Sequence, residues 1–241
     1  MKLIKLNAID STNEYIKKIK SFSSDNLLCA YTFNQTLGKG RRANLWSSEP
    51  FMNLCISFCY RPSNDISDDF SFKLSMSVSN KIFKFLKQIN IPNLHVKWPN
   101  DILSDKKKIA GILIESSIKK NKVSDYIIGI GLNVNQLDFG DLTHASSLKK
   151  ITNKSYDLHK ISKDFINYFS KIDEFINGYS ANQIKANYIK NLYGTKSFLN
   201  YNYKGKKIKA KIIDIKSTSS LEILIGKNSK ILNSYDLKLV Y

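Results

Sequence analysis

The stretch LHVKWPNDILSDKKKIAGILIESSIKKNKVSDYIIGIGLNVN, residues 94–135, decides how this chain folds. It contains three apolar runs, His95–Leu103, Ile109–Glu115 and Tyr126–Asn133. Polar turns at Ser104–Lys107 and Lys119–Ser124 separate them, so the spacing predicts three strands joined by tight connections. Working outward, Asn53–Tyr60, Leu27–Phe33 and Leu3–Ile9 also read as strands. Phe72, Met76, Ile82, Phe83 and Leu86 recur at helical spacing, and Pro92 stops that helix. Ser11 and Glu14 have the spacing of a capping box ahead of a helix whose face carries Tyr15, Ile16 and Ile19. Downstream, Leu158, Ile161, Phe165, Phe169, Ile172 and Ile176 predict one helix ending at Gly178, with a shorter one over Ala181–Leu192. Short β-rich runs follow at Lys207–Ile215, Leu221–Ile225, Ser229–Leu232 and Leu237–Val240. Their spacing predicts a small β-barrel. The expected architecture is α+β: a mixed β-sheet with flanking helices over residues 1–193, then a β module over 194–241.

The 241 residues carry a formal charge of +18, and 42% are hydrophobic, enough apolar surface for a packed core. No apolar run reaches the 18 or so residues of a membrane span. The N-terminal segment is too interrupted for a secretory signal. Three cysteines, Cys29, Cys55 and Cys59, lack partners at metal-ligand spacing, which fits a reducing compartment and a cytoplasmic protein. The charge alone suggests a nucleic-acid binder. Only Arg41, Arg42 and Arg61 are arginine, however, and the lysines are spread along the chain. Arginine is the better residue for bidentate phosphate and base contacts. No specific nucleic-acid partner and no membrane partner are therefore expected.

Four clusters carry chemistry. The loop from Gln35 to Phe51 contains Gly38-Lys39-Gly40-Arg41-Arg42, two glycines among three cations. Backbone amides and cationic side chains in such a loop suit a phosphate or carboxylate. Lys97-Trp98-Pro99-Asn100-Asp101 brings a cation, a carboxylate and scarce residue types together, with Asp101 a candidate Mg²⁺ ligand. Read as one strand, it points Lys97, Pro99 and Asp101 to one face, with proline favouring an edge or bulge. Lys108 opens the strand Lys108–Glu115, which a hairpin places beside that cluster. Gly129-Ile130-Gly131-Leu132-Asn133-Val134-Asn135 ends a strand without the third glycine and helix of a dinucleotide fingerprint, and its asparagines can hydrogen-bond a base.

In this order, with Asp10-Ser11-Thr12-Asn13 and Gln35 ahead of them, the clusters closely resemble the biotin protein ligases, by motif over residues 9–135. That resemblance implies a catalytic domain with a biotin/lipoate ligase-like fold and a C-terminal SH3-like β-barrel. It implies that biotin attacks the α-phosphate of MgATP, and that a lysine of a biotin carboxyl carrier protein or domain, as in acetyl-CoA carboxylase, then takes the biotinyl group. It further implies biotin contacts from Ser11, Thr12, Asn13, Gln35, Gly38, Lys39, Gly40, Arg41, Lys108 and Gly111. ATP contacts fall to Arg41, Arg42, Trp46, Lys97, Asn100, Lys108 and Asn133, and catalysis to Arg41, Lys108 and Lys97, with Mg²⁺ on Asp101. The oligomeric state, monomer or homodimer, stays open.

Two departures stand out. Lys39 replaces the family's usual arginine, and Ala43-Asn44-Leu45 replaces Gly-Arg-x before Trp46. About ten residues precede Ser11, too few for a helix-turn-helix, so no operator binding is expected. The nearest rival is a lipoate or octanoate transferase. Such enzymes usually carry a Gly-Gly-Gly loop, absent here, and their acyl-enzyme forms need an activated nucleophile. Cys55 and Cys59 lie in an apolar strand without a nearby histidine, as core thiols do.

Overall fold

The computed structural model describes residues 1–63, 69–119, 122–233 and 236–240. The strands, in chain order, are β1 (Lys2–Leu6), β2 (Leu27–Thr32), β3 (Gly38–Lys39), β4 (Leu45–Trp46), β5 (Leu54–Tyr60), β6 (Leu94–Lys97), β7 (Asp101–Ser104), β8 (Lys107–Lys119) and β9 (Lys122–Leu132). The helices are α1 (Thr12–Ile19), α2 (Phe70–Gln88), α3 (Leu148–Thr152), α4 (Leu158–Phe169), α5 (Ile172–Asn177) and α6 (Ala181–Lys190). A seven-stranded sheet runs β1-β2-β5-β9-β8-β7-β6. Only β1 and β2 pair in parallel, so the sheet is mixed.

Strand alternation divides this sheet into two unequal faces. Leu54, Ile56, Phe58 and Tyr60 of β5, with Tyr126, Ile128, Ile130 and Leu132 of β9, join one core with α2 and the helices outside it. Intervening residues face the other way. There Cys59 and Ile127 close around the fully buried Ile16 of α1 in a small second core. The helix α1 covers only part of this face, and the functional cavity lies beyond its N-terminus.

Several local expectations need correction. His95–Leu103 is not one strand but the hairpin β6–β7, because Pro99 has no ladder N–H to offer. The helix over 158–176 is two helices, α4 and α5, broken at Ser170–Lys171. Ser11 caps α1 by accepting from the Glu14 N–H at 3.4 Å, whereas the Glu14 carboxylate receives Lys17 and Lys39. Within the loop 35–51, β3 and β4 form a small hairpin. The middle of the expected turn Lys119–Ser124, residues 120–121, lies outside the described residues.

Past α6 the chain forms β10 (Leu199–Tyr203), β11 (Lys206–Ile215), β12 (Ser220–Ile225), β13 (Asn228–Asn233) and β14 (Leu237–Leu239). These make an antiparallel sheet in the order β13-β12-β11-β10-β14. Among the described residues β13 and β14 do not pair with each other, so the sheet is not closed. β10 was not evident in the sequence, since LNYNY carries asparagine between its apolar residues. The sheet shares the main core through Tyr201, Ile212, Leu221 and Ile223, and Lys185 of α6 pairs with Asp214 at 2.8 Å.

Candidate functional site

Register builds the site. Directly opposed residues in neighbouring strands share a face. One rung of the sheet therefore aligns Lys97, Asp101, Gly111, Gly131 and Cys55 across β6, β7, β8, β9 and β5. The next rung holds Leu113, Gly129 and Ser57. Three motifs separated in sequence meet because these strands are neighbours. The glycines keep the floor low. A Cβ on Gly131 would lie 2.2 Å from Cε2 of Trp46, and one on Gly129 would lie 2.2 Å from Oδ1 of Asn13. Trp46 lies over this floor with the Lys108 ammonium 5.4 Å from its ring centroid.

A cavity of about 190 Å³ stands on the floor. Ser11, Thr12, Asn13 and Gln35 form its polar end, and Lys39, Gly40, Arg41, Asn100, Asp101, Lys108 and Gly111 also line it. Ser11, Thr12, Asn13 and Gln35 are all buried. The backbone N–H of Thr12 donates to Oε1 of Gln35 at 2.9 Å, which leaves the glutamine amide nitrogen aimed elsewhere. Lys39 reaches Glu14 at 3.1 Å. Hydrogen bonds from Lys17 and Lys39 hold the Glu14 carboxyl below its ordinary pKa.

Two further cavities adjoin it. One, about 340 Å³, is bounded by Leu45, Trp46, Lys97, Lys108, Asn133, Phe139, Leu142 and His144. The other, about 350 Å³, lies between Arg41, Arg42, Lys97, Asn100 and Asp101 on one side and Tyr201, Ile212, Leu221 and Leu237 of the C-terminal sheet on the other. Lys108 and Trp46 border the first two cavities, Lys97 the second and third, and Arg41 the first and third. Cations thus stand where the compartments meet, the position from which two anions can be held together. Gly38 lies just outside, packed against Gln35 and Trp46.

Asn133 donates through Nδ2 to the Ser146 carbonyl at 2.9 Å, while its Oδ1 is buried without a hydrogen-bond partner. Leaving such an acceptor unpaired costs about 1–3 kcal/mol. It is available to a ligand N–H. Phe139, Leu142 and His144 were not singled out from the sequence, because the segment 136–146 has neither periodicity nor motif. Ser57 was missed too, being one small residue in an apolar strand.

Asp101, the candidate Mg²⁺ ligand, stands among cations, and its buried Oδ1 has no hydrogen-bond partner. Its Oδ1 lies 2.8 Å from Lys108 and its Oδ2 3.4 Å from Lys97, so both oxygens already face ammonium groups. Among the described residues no three His, Cys, Asp or Glu side chains gather to hold an ion. The carboxylate steers the two lysines. After Arg41 the loop turns through Arg42 at φ 58° and closes by a hydrogen bond from the Gly40 N–H to the Asn44 carbonyl at 2.7 Å. A tight turn therefore forms without the family glycine at position 43.

The thiols are buried. Burial raises Cys29 and pushes Cys55 up to about 11. Iodoacetamide at pH 7.5 is therefore expected to leave all three cysteines of the folded protein unmodified and to label all three in denaturant. Rapid labelling of Cys55 in the native state would reopen the acyl-enzyme rival.

Comparison with known proteins agrees with this geometry. The model of the biotin/lipoate A/B protein ligase family matches residues 6–133, more than half of the chain. The bifunctional ligase/repressor BirA of Bacillus spizizenii is 29% identical over 173 residues, 70% of this chain and 53% of that protein. BirA of Escherichia coli is 32% identical over 133 residues, 54% of this chain and 39% of that protein. The chain thus spans about half the length, or less, of these curated relatives. The biotin protein ligase of Aquifex aeolicus, solved with biotin and ATP, superposes with a TM-score of 0.78 at 24% identity over 99% of this chain and 98% of that one.

Proposed function

Because the chain belongs to the biotin/lipoate A/B protein ligase family, we propose that it is an ATP-dependent biotin protein ligase. It activates biotin as biotinyl-5′-AMP and transfers the biotinyl group to a lysine ε-amine on a biotin carboxyl carrier protein or domain, as in acetyl-CoA carboxylase. The observation that carries biotin over its rival is the buried polar end of the floor cavity, where Ser11, Thr12 and Gln35 converge. A cyclic urea has donors and an acceptor to match these groups. A dithiolane or alkyl head has neither, and it would leave them desolvated and unpaired.

The residues divide the work as follows. Ser11, Thr12 and Gln35 hold the urea, while Gly111 with its rung neighbour Gly131 leaves room for the ring and chain. Asn13 supports the polar end from behind. Gly38, Lys39, Gly40 and Arg41 close over the biotin carboxylate and α-phosphate. Lys108 contacts both anions and stabilises charge as phosphorus is attacked in line. Lys97 and Asn100 lie toward the phosphates, and Arg42 flanks them. Adenine lies between Trp46 and Phe139, its amino group donating to Asn133 Oδ1. Magnesium would arrive with ATP, and Asp101 is the carboxylate placed to hold it beside the phosphates, where it would offset their charge. Closure of the loop over the anhydride excludes water. The C-terminal module, residues 194–241, corresponds to the family's SH3-like module, and its Tyr201, Ile212, Leu221 and Leu237 form the far wall of the cavity beside Arg41. On this reading the enzyme works in the cytoplasm. Among the described residues no helix is long and apolar enough to cross a bilayer.

Arg41→Gly tests the loop assignment. The variant is expected to release biotinyl-adenylate at least about tenfold faster, since a charged hydrogen bond contributes about 1.5–3 kcal/mol. In rapid-dilution trapping, adenylate retention equal to wild type would contradict it. The substrate itself is tested by offering biotin, lipoate and octanoate in parallel with ATP. Turnover of lipoate or octanoate alone would replace this reading with its rival.

A further inference from the structure

Behind the polar end of the cavity lies a hydroxyl that belongs to none of the sequence clusters. Ser57 is fully buried on the rung facing α1. Its Oγ lies 2.6 Å from Asn13 Oδ1 and 2.7 Å from Thr12 Oγ1. A serine has one proton, so only one of these oxygens can receive it. The orientation of Asn13 decides which. Nδ2 of Asn13 donates at 2.8 Å to Oε2 of Glu115, a carboxylate that only accepts. Oδ1 must therefore face Ser57, and Oδ1 cannot donate. Ser57 gives its proton to Asn13.

The 2.7 Å contact between Ser57 and Thr12 then needs a proton from Thr12, since two hydroxyl oxygens that close repel without one. Thr12 can supply it. Its other neighbour, Gln35 Oε1 at 3.1 Å, can also accept that proton, but it already receives the Thr12 backbone N–H, and the shorter contact, to Ser57, takes the hydroxyl proton. Glu115 is fixed in turn by Lys17 at 2.8 Å. The proton order runs one way, from Thr12 to Ser57 to Asn13 to Glu115. With its proton committed inward, Thr12 Oγ1 presents only lone pairs to the cavity.

We infer that Ser57 is a positioning residue that, with Asn13 and Glu115, fixes Thr12 as a hydrogen-bond acceptor for a ring N–H of the ligand. This deepens the biotin reading and rests on it, because the urea of biotin supplies that N–H. Ser57 itself touches no substrate. Its effect falls on the ligand head and leaves the phosphate chemistry alone.

A double-mutant cycle with steady-state kinetics tests it. Ser57→Ala is expected to raise KM for biotin about tenfold while kcat and KM for ATP stay within about twofold, a split that general loosening of the fold would not give. Thr12→Val, which keeps shape and removes the acceptor, is expected to raise biotin KM at least as much. In the Thr12→Val background Ser57→Ala then adds less than about twofold, because its route to the ligand is gone. Independent, multiplying effects would overturn the inference, as would an unchanged biotin KM in Ser57→Ala. If Ser57→Ala does not fold, Thr12→Val decides: unchanged biotin KM there overturns the acceptor role, and a selective rise supports it. Wild-type enzyme that ignores biotin would overturn the parent reading instead, and that result is seen before any variant is made.

Discussion

Lys108→Ala is expected to slow formation of biotinyl-adenylate by about 10²–10³-fold, the range for removing one preorganised stabiliser of developing charge. The reason is placement. Lys108 borders both the cavity on the glycine floor and the compartment walled by Asn133 and Phe139, so on the proposed reading its ammonium stands where carboxylate and phosphate meet. Asp101 at 2.8 Å and the Trp46 ring at 5.4 Å restrict its side chain before substrate arrives. Such restraint spares reorganisation during the reaction. The loss belongs to the chemical step, so binding of biotin alone should weaken far less. Burst measurement of pyrophosphate release with saturating substrates reads the step directly. Supplying preformed biotinyl-adenylate should restore most of the transfer to the carrier lysine. A burst rate within about threefold of wild type would remove Lys108 from the reaction centre.

Gly131→Val has the largest expected effect on binding. Even a Cβ at this position would lie 2.2 Å from Cε2 and 2.4 Å from Cζ2 of Trp46. Valine adds two methyl groups on the same rung as Gly111 and Cys55, which cannot recede because β8 and β5 flank β9 directly. The ring of Trp46 must leave, and the groove fills from below. Biotin affinity is expected to fall at least about a hundredfold, while overpacking costs about 1–3 kcal/mol of stability. Calorimetric titration with biotin, beside a thermal melt, separates the two. Affinity within about fivefold of wild type would show that the floor is not where the ligand lies.

Much of this was legible in the sequence because it was local. Alternation in β5 and β9 and the helical spacing of α2 follow from apolar periodicity alone. Motif chemistry named Thr12, Gln35, Arg41 and Lys108, which the fold brings to one cavity. What the sequence hid was register. Lys97 and Asp101 meet as opposed residues of a hairpin, not as alternating residues of one strand. The pairing of two lysines with Asp101 likewise shows only once the strands are in register. Ser57 acquires meaning only opposite Gly129 and beneath α1, and Phe139 only because the segment after β9 folds back over Lys108. The break between α4 and α5 and the existence of β10 depend on packing that periodicity does not record. Lys39 shows the opposite case. Its replacement of arginine was evident, yet its ion pair with Glu14 could be seen only with α1 in place.

The formal charge of +18 takes a modest place in this account. Its specific part is the few cations around the cavities. On the proposed reading, the remainder is expected to speed encounter with an acidic carrier domain, an effect that salt should weaken.

The central claim is tested most directly by intact-mass analysis of a biotin carboxyl carrier domain incubated with the enzyme, ATP, magnesium and biotin. The account requires a gain of one biotinyl group on a single lysine, abolished by omitting ATP. A carrier domain left unmodified by active, folded enzyme, or acylated only when lipoate or octanoate replaces biotin, would contradict it.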